Sequence, residues 1–399
     1  MGAALLAGSF AHAEADKAAL GGLMFGYSTG TPDTSMQDLY IVESASNPEK
    51  VFASKKVKRS GAVWDLPAGA PLDPGKVRYT FNGRSHTLTD YLDKTRTTAL
   101  LVLKDGRIVF EKYQYDRKPA NRFLSFSMSK TITAMLVGIA AQEGFIKSLD
   151  DTAGTYVPEL RASAYGKVTI RQLLTMTSGV KWNDEVNGTI SSDMLQLNEC
   201  HMRHRGCESS LALLAAHKEF SSEPGARFSY SGADAMVLGH VLRGATKQDV
   251  TTFTQERLWN RIGAESDAAW MVDRQGVENV FGHFAATLRD FGRLGLLLAN
   301  EGVARGTDPI LSPAYWTEMT TPRLAASKPR VATSYFGYGY QLWLDPKPGV
   351  FCFRGLKGQA IYVDVAKKLV LVRLAVARSD DSSDSSERDH MWHGVRAAY

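Results

Sequence analysis

The sequence predicts an α+β fold: one antiparallel sheet built from strands near both ends of the chain, flanked by helices, with a mainly helical region inserted between. Two hairpins and one apolar helix carry this prediction. Residues 98–104 and 107–115 are strand-like runs joined by Asp105-Gly106, a strong hairpin turn. Residues 360–365 and 369–377 flank Ala366-Lys367-Lys368 and form a second hairpin. Between the hairpins, residues 131–141 are almost wholly apolar, the pattern of a helix buried on every side.

In chain order, residues 1–13 read as the remnant of a signal peptide. Their apolar run ends at Ala11-His12-Ala13, a small-x-small cleavage site. Residues 14–97 are rich in Gly, Pro and Ser and are expected to wrap the outside as an irregular segment. The sheet domain takes residues 98–160 and 275–399, and the helical domain takes residues 161–274. Helical patterns cover 127–144, 169–177, 209–218, 233–242, 251–259 and 287–300. The acidic, serine-rich stretch 379–389 reads as a solvated loop. No internal repeat is present.

Composition narrows the function classes. The chain has 399 residues, 44% hydrophobic and 22% charged, which supports a sizeable core. Its net charge of +5 comes from scattered basic residues, so there is no nucleic-acid footprint. No apolar run is long enough to form a transmembrane segment. The expected partner is a small-molecule substrate, with no cofactor and no metal. Cys200 and Cys207 flank the polar loop H-M-R-H-R-G and suit a small disulfide in an exported, periplasmic or secreted chain. A metal reading of Cys200, His201, His204 and Cys207 ranks below it, because the spacing is not a standard zinc pattern. Cys352 stands apart.

Three stretches carry the chemistry. S-M-S-K places Ser127 and Lys130 on one face at the start of the apolar helix. The free N–H groups and positive dipole end there favour an oxyanion. A lysine desolvated by that helix is expected to have a lowered pKa, so that a neutral amine can take the serine proton. F-S-Y-S-G-A-D puts Tyr230 just before the next helix, where a phenol beside an ammonium can relay a proton. F-R-G-L-K-G-Q reads as a strand start, with Gly355 and Gly358 allowing close approach of a ligand. The N–H of Gln359 is expected to pair with that of Ser127 as an oxyanion hole.

In this order, the three stretches resemble the serine hydrolase superfamily of class C β-lactamases, penicillin-binding proteins, D-alanyl-D-alanine carboxypeptidases and related esterases. S-M-S-K matches the first motif, Y-S-G (230–232) the family's Y-x-N, and G-L-K-G-Q (355–359) its K-T-G or H-x-G strand. The resemblance runs from about Thr98 onward and includes L-L-T-M-T-S-G-V, E-P-G-A-R-F-S-Y-S and F-G-Y-G-Y-Q-L-W-L. W-H-G (392–394) and the G-Q of the third motif bring it closest to 6-aminohexanoate-dimer (nylon oligomer) hydrolases and related carboxylesterases. It implies a β-lactamase/transpeptidase-like fold and catalytic roles for Ser127, Lys130 and Tyr230.

Two departures stand out. Gly232 replaces the motif asparagine, and Leu356 stands where the lysine or histidine belongs. On a strand, that shift of one turns Lys357 to the other face. Both argue against β-lactam recognition. The implied activity is hydrolysis of small linear amides or esters through an acyl-enzyme on Ser127. The alternatives are a D-amino-acid peptidase or weak β-lactamase, or a non-catalytic penicillin-binding-like protein. A coupled Lys130–Tyr230 pair leaves open which of the two is the base. Trp182, Asn183, Asp184, Gly232, Gly358 and His393 are the candidate substrate contacts. His283, His390 and Trp392 rank below them.

Overall fold

The computed structural model describes residues 16–22, 26–184, 192–306, 309–378 and 382–399. The signal-like residues 1–13 lie outside these. Asp105 has φ 52° and Gly106 φ 74°, the left-handed pair that a two-residue hairpin requires. Their hairpin begins a seven-stranded antiparallel sheet. Its order is Arg107–Tyr113, Thr97–Lys104, Leu369–Ala375, Ala360–Asp364, Val350–Arg354, Trp343–Leu344 and Gly337–Tyr338. The two expected hairpins meet at its centre, with Leu101 opposite Val372 and Leu103 opposite Val370.

Alternation along these strands feeds two cores. Leu101, Leu103, Val370 and Val372 face the main core with the buried helices. Leu100, Val102, Leu369 and Leu371 face a second core with Met391, Trp392 and Val395. Helix Leu288–Ala299 is capped by the Thr287 hydroxyl, which accepts from Asp290 N–H. It lies tight on the sheet because two of its positions are glycine. A Cβ on Gly295 would come within 2.5 Å of Val370 Cγ1, and one on Gly292 within 2.8 Å of Leu101 Cδ2.

A second antiparallel sheet runs Ser54–Val57, Ala268–Met271, Phe284–Ala286 and Phe123–Leu124. Its last strand delivers the chain to helix Met128–Gln142, buried from Met128 through Ala140. The two buried threonines of that helix are satisfied by backbone carbonyls. Thr131 Oγ1 donates to Gln341 O, and Thr133 Oγ1 to Ser129 O and Val280 O. The middle of the chain is helical, with Ile170–Leu174, Asp193–Met202, Ser210–Ala216, Gly232–Thr246 and Val250–Thr254. The last of these continues as a π-helical turn over Gln255–Trp259.

Two expectations need correction. Residues 14–97 are not simply irregular: they hold helices Asp38–Ser46 and Leu88–Lys94, strand Ser54–Val57, and the hairpin Arg78–Phe81 with Arg84–Thr87. These elements are too short, and too widely spaced by Gly and Pro, to show a period. In the stretch 379–389, residues 379–381 lie outside the described residues, and the rest is not a solvated loop but the start of helix Ser382–Ala397. Glu387 is buried, accepting from Tyr79 Oη at 2.5 Å and pairing with Lys94. Asp389 accepts from Arg354 Nη1 at 3.0 Å and from Tyr362. Partners distant in sequence fold this acidic stretch in.

The packing of helix Leu288–Ala299 makes a test. Alanine gains about 1 kcal/mol over glycine in helix propensity, but overpacking a filled core costs about 1–3 kcal/mol. Gly295→Ala should therefore lower the unfolding free energy in urea. A rise would show that the helix lifts off the sheet freely.

Candidate active site

Ser127 is placed by its neighbours. Ser125 N–H donates to Phe284 O at 2.7 Å, and Phe284 N–H returns a 3.1 Å bond to Ser125 Oγ. This bolts the loop to the small sheet. Phe126 then takes φ 45°, a left-handed conformation that costs a bulky residue about 1–3 kcal/mol. The reversal sets Ser127 at the helix N-cap with φ −62°, its hydroxyl making no cap bond. That hydroxyl is instead 3.0 Å from Lys130 Nζ.

Lys130 is 2% exposed. Its amine also donates to Phe281 O at 2.6 Å and lies over the Tyr230 ring, 5.0 Å from the centroid. The contact with Tyr230 is thus with the aromatic face. Tyr230 is stacked on Trp343, with centroids 5.5 Å apart at 23°. Ser127, Lys130 and Tyr230 all line one cleft of about 570 Å³. Phe281 was not foreseen, because a backbone carbonyl leaves no signature in sequence.

The third motif differs from its expected form. Leu356–Gly358 is a single 3₁₀ turn, with Lys357 at φ 60°. The alternation of a strand does not apply there, and Leu356, Lys357 and Gly358 all line the cleft. The Gln359 N–H closes the turn on Leu356 O at 3.5 Å, and its side chain is tied to Ala375. Gln359 is not among the cleft-lining residues. Gly355 is needed for close approach: a Cβ there would sit 2.5 Å from Ser125 O, two residues before Ser127.

Of the candidate substrate contacts, Asp184 and Gly358 line the cleft. Trp182 stands behind, donating its indole N–H to Asp184 Oδ1 at 2.9 Å. Gly232 does the same through its backbone N–H at 2.7 Å. Asn183 is exposed and its N–H bonds to Asp193 Oδ2 at 2.8 Å. Burial pushes the Asp184 carboxyl above its ordinary range, opposed by the charge of Lys130 and by its two N–H donors. His393 lies elsewhere, beside Asp345, Asp389 and Trp392 on the second core. Trp392 is buried there, stacked on Tyr362 at 5.1 Å. His390 packs on Phe81. The helix that carries them turns these three away from the cleft and presents Arg388 to it instead.

His283 does line the cleft, in an aromatic setting of Phe52, Phe126 and Phe281. Burial lowers its pKa to about 3. Cys200 and Cys207 are joined in a disulfide at the end of helix Asp193–Met202, which lends Met194, Leu195 and Asn198 to the cleft wall. His201 is fully buried and His204 Nδ1 accepts from Arg274 N–H, so the cluster does not converge on a point.

The sequence matches the Beta-lactamase family over residues 85–395. It is 25% identical to the 6-aminohexanoate-dimer hydrolase of Paenarthrobacter ureafaciens over 348 residues, covering 85% of this chain and 86% of that protein. The fold is similar to that of a putative 6-aminohexanoate-dimer hydrolase from Bacillus anthracis, with TM-score 0.80, 23% identity, and coverage of 92% of this chain and 96% of that one. A family VIII carboxylesterase structure aligns with TM-score 0.57 and 19% identity over 75% of this chain and 93% of that one. With the family matched across more than half its length, the chain is a hydrolase belonging to the Beta-lactamase family.

Proposed function

We infer that this hydrolase cleaves small linear amides or esters through an acyl-enzyme on Ser127. The observation that carries the reading is the 3.0 Å contact between Ser127 Oγ and the buried Lys130 amine at a helix N-terminus. As a neutral amine, Lys130 accepts the hydroxyl proton while still donating to Phe281 O. Ser127 Oγ then bonds to the carbonyl carbon. The Ser127 N–H, which makes no hydrogen bond to the described residues, faces the developing oxyanion. A second donor from Gln359 requires its long bond to Leu356 O to open. Collapse breaks the bond to the leaving amine or alcohol, which takes the proton through Lys130 and Tyr230. Water then attacks the ester, its proton returns to Ser127 Oγ, and the acid departs.

The relatives named for 6-aminohexanoate dimer and for carboxylic esters support linear substrates. One observation favours a second reading, a D-amino-acid peptidase or weak β-lactamase. Lys357 lines the cleft rather than turning away, and with Arg354 it suits a substrate carboxylate. We also place the protein outside the cytoplasm, a reading that the Cys200–Cys207 disulfide supports.

The purified protein should turn over p-nitrophenyl butyrate. Ser127→Ala should abolish both turnover and labelling by a fluorophosphonate, and residual activity would move the nucleophile elsewhere. Tyr230→Phe keeps the stack on Trp343 and removes only the hydroxyl. It should lower kcat by about 10²–10⁴-fold, the usual worth of a positioned proton-transfer group; an unchanged kcat would free Tyr230 of any proton role. Hydrolysis of 6-aminohexanoate dimer should exceed that of nitrocefin, and the reverse order would select the second reading.

A further inference from the structure

The replacement of the motif asparagine by Gly232 reads in sequence as a loss. The structure fills the place. A Cβ on residue 232 would lie 2.6 Å from Met194 Sδ, so the glycine leaves room for the Met194 side chain, while the Asp184 carboxylate would be in ordinary contact at 3.4 Å. Beside it stands the Asp184 carboxylate. Its Oδ1 accepts two N–H donors, from Trp182 Nε1 and from Gly232 at the first turn of helix Gly232–Thr246. Both bonds, and the positive end of that helix, favour the anion. Asp184 lines the cleft together with Ser127 and Lys130. The charge of Lys130 acts on it through space, while the Lys130 amine is bonded to Ser127 Oγ and Phe281 O.

We propose that Asp184 is a positioning residue of the hydrolytic site: its fixed negative charge stabilises the ammonium that forms on Lys130 when the Ser127 proton is transferred. The proposal rests on the acyl-enzyme reading above. A neutral amine, the form that can take the Ser127 proton, gains little from a carboxylate. After transfer the amine is charged, in a pocket that excludes much of the water, and the carboxylate lowers its energy. The interaction is stronger in the charge-separated state than in the ground state, the condition for raising kcat. The other titratable groups near Asp184 are Asp234, Tyr165 and Tyr338, all buried. Lys130 is the cation that acts on its carboxyl.

The test uses p-nitrophenyl butyrate, a neutral ester with no group for Asp184 to bind. Asp184→Asn keeps an oxygen to accept both N–H donors and removes only the charge. kcat should fall by about 10- to 100-fold, the size expected for a unit charge several ångströms away in a partly buried site, with KM within about twofold. The acid limb of the kcat/KM profile should move to lower pH, because the proton that switches the site off has lost a nearby negative charge. Trp182→Phe removes one donor and leaves the carboxylate. It should move the same limb to higher pH, because a carboxylate that has lost one N–H donor attracts the Lys130 proton more strongly. Unchanged kcat in Asp184→Asn, a change confined to KM, or limbs that stay in place in both variants would overturn the proposal. Turnover by the parent protein and its loss in Ser127→Ala test the acyl-enzyme reading separately.

Discussion

The site depends on one buried amine. Lys130 sits at the start of a helix that is apolar on every side, where an unpaired ammonium would be expensive. Three segments from separate parts of the chain meet its needs. The helix itself supplies Ser127 Oγ, the segment before strand Phe284–Ala286 supplies the Phe281 carbonyl, and the second motif supplies the Tyr230 ring. Loss of any one leaves a desolvated polar group, worth about 1–3 kcal/mol. The helix, the segment before strand Phe284–Ala286 and the second motif are therefore held together at the lysine as much as the lysine is held by them.

Close backbone approach does the rest. Gly355 brings the third motif against Ser125, so a turn, not a strand, forms the wall beside Ser127. Gly232 leaves room for Met194 and gives its N–H to Asp184 beside the second motif. Each glycine exchanges a side chain of its own for a group brought from another segment. A motif comparison registers only the missing side chain.

What could be read from sequence follows from the range of the forces involved. The Asp105-Gly106 hairpin, the central strands and the 131–141 helix were legible because local turn chemistry and burial on all sides write themselves into adjacent residues. Ser127, Lys130 and Tyr230 were legible because the motifs name side chains, and the structure brings these three to one cleft. The short elements in 14–97 were not, since a strand such as Ser54–Val57 exists only by pairing with Ala268–Met271. Helix Ser382–Ala397 was hidden for a similar reason. Its acids look solvated until Tyr79, Lys94, Arg354 and Tyr362 arrive from far away. Lys357 was misplaced because strand parity was applied to a residue with positive φ. Phe281 meets Lys130 through its backbone carbonyl, to which side-chain identity is nearly blind.

The second motif is also held at a cost. Asp234, one turn into helix Gly232–Thr246, accepts from the Ser178 hydroxyl at 2.8 Å and so ties the 177–184 segment to the helix behind Tyr230. It is fully buried, and burial pushes its carboxyl up to about 8. A carboxyl raised in the folded state binds its proton more tightly there than in the unfolded chain. Its contribution is intact below the ordinary carboxylate value of about 4 and declines as pH climbs from there towards about 8. Near neutrality most of that contribution has been lost. Stability alone would favour an apolar residue at 234, so the carboxyl is better understood by what it fixes. The segment it anchors carries Trp182 and Asp184, and the helix it sits in begins at the residue whose N–H holds Asp184. Strain at Phe126 and a buried acid at 234 are thus two costs of the same kind, each borne next to residues that line the cleft.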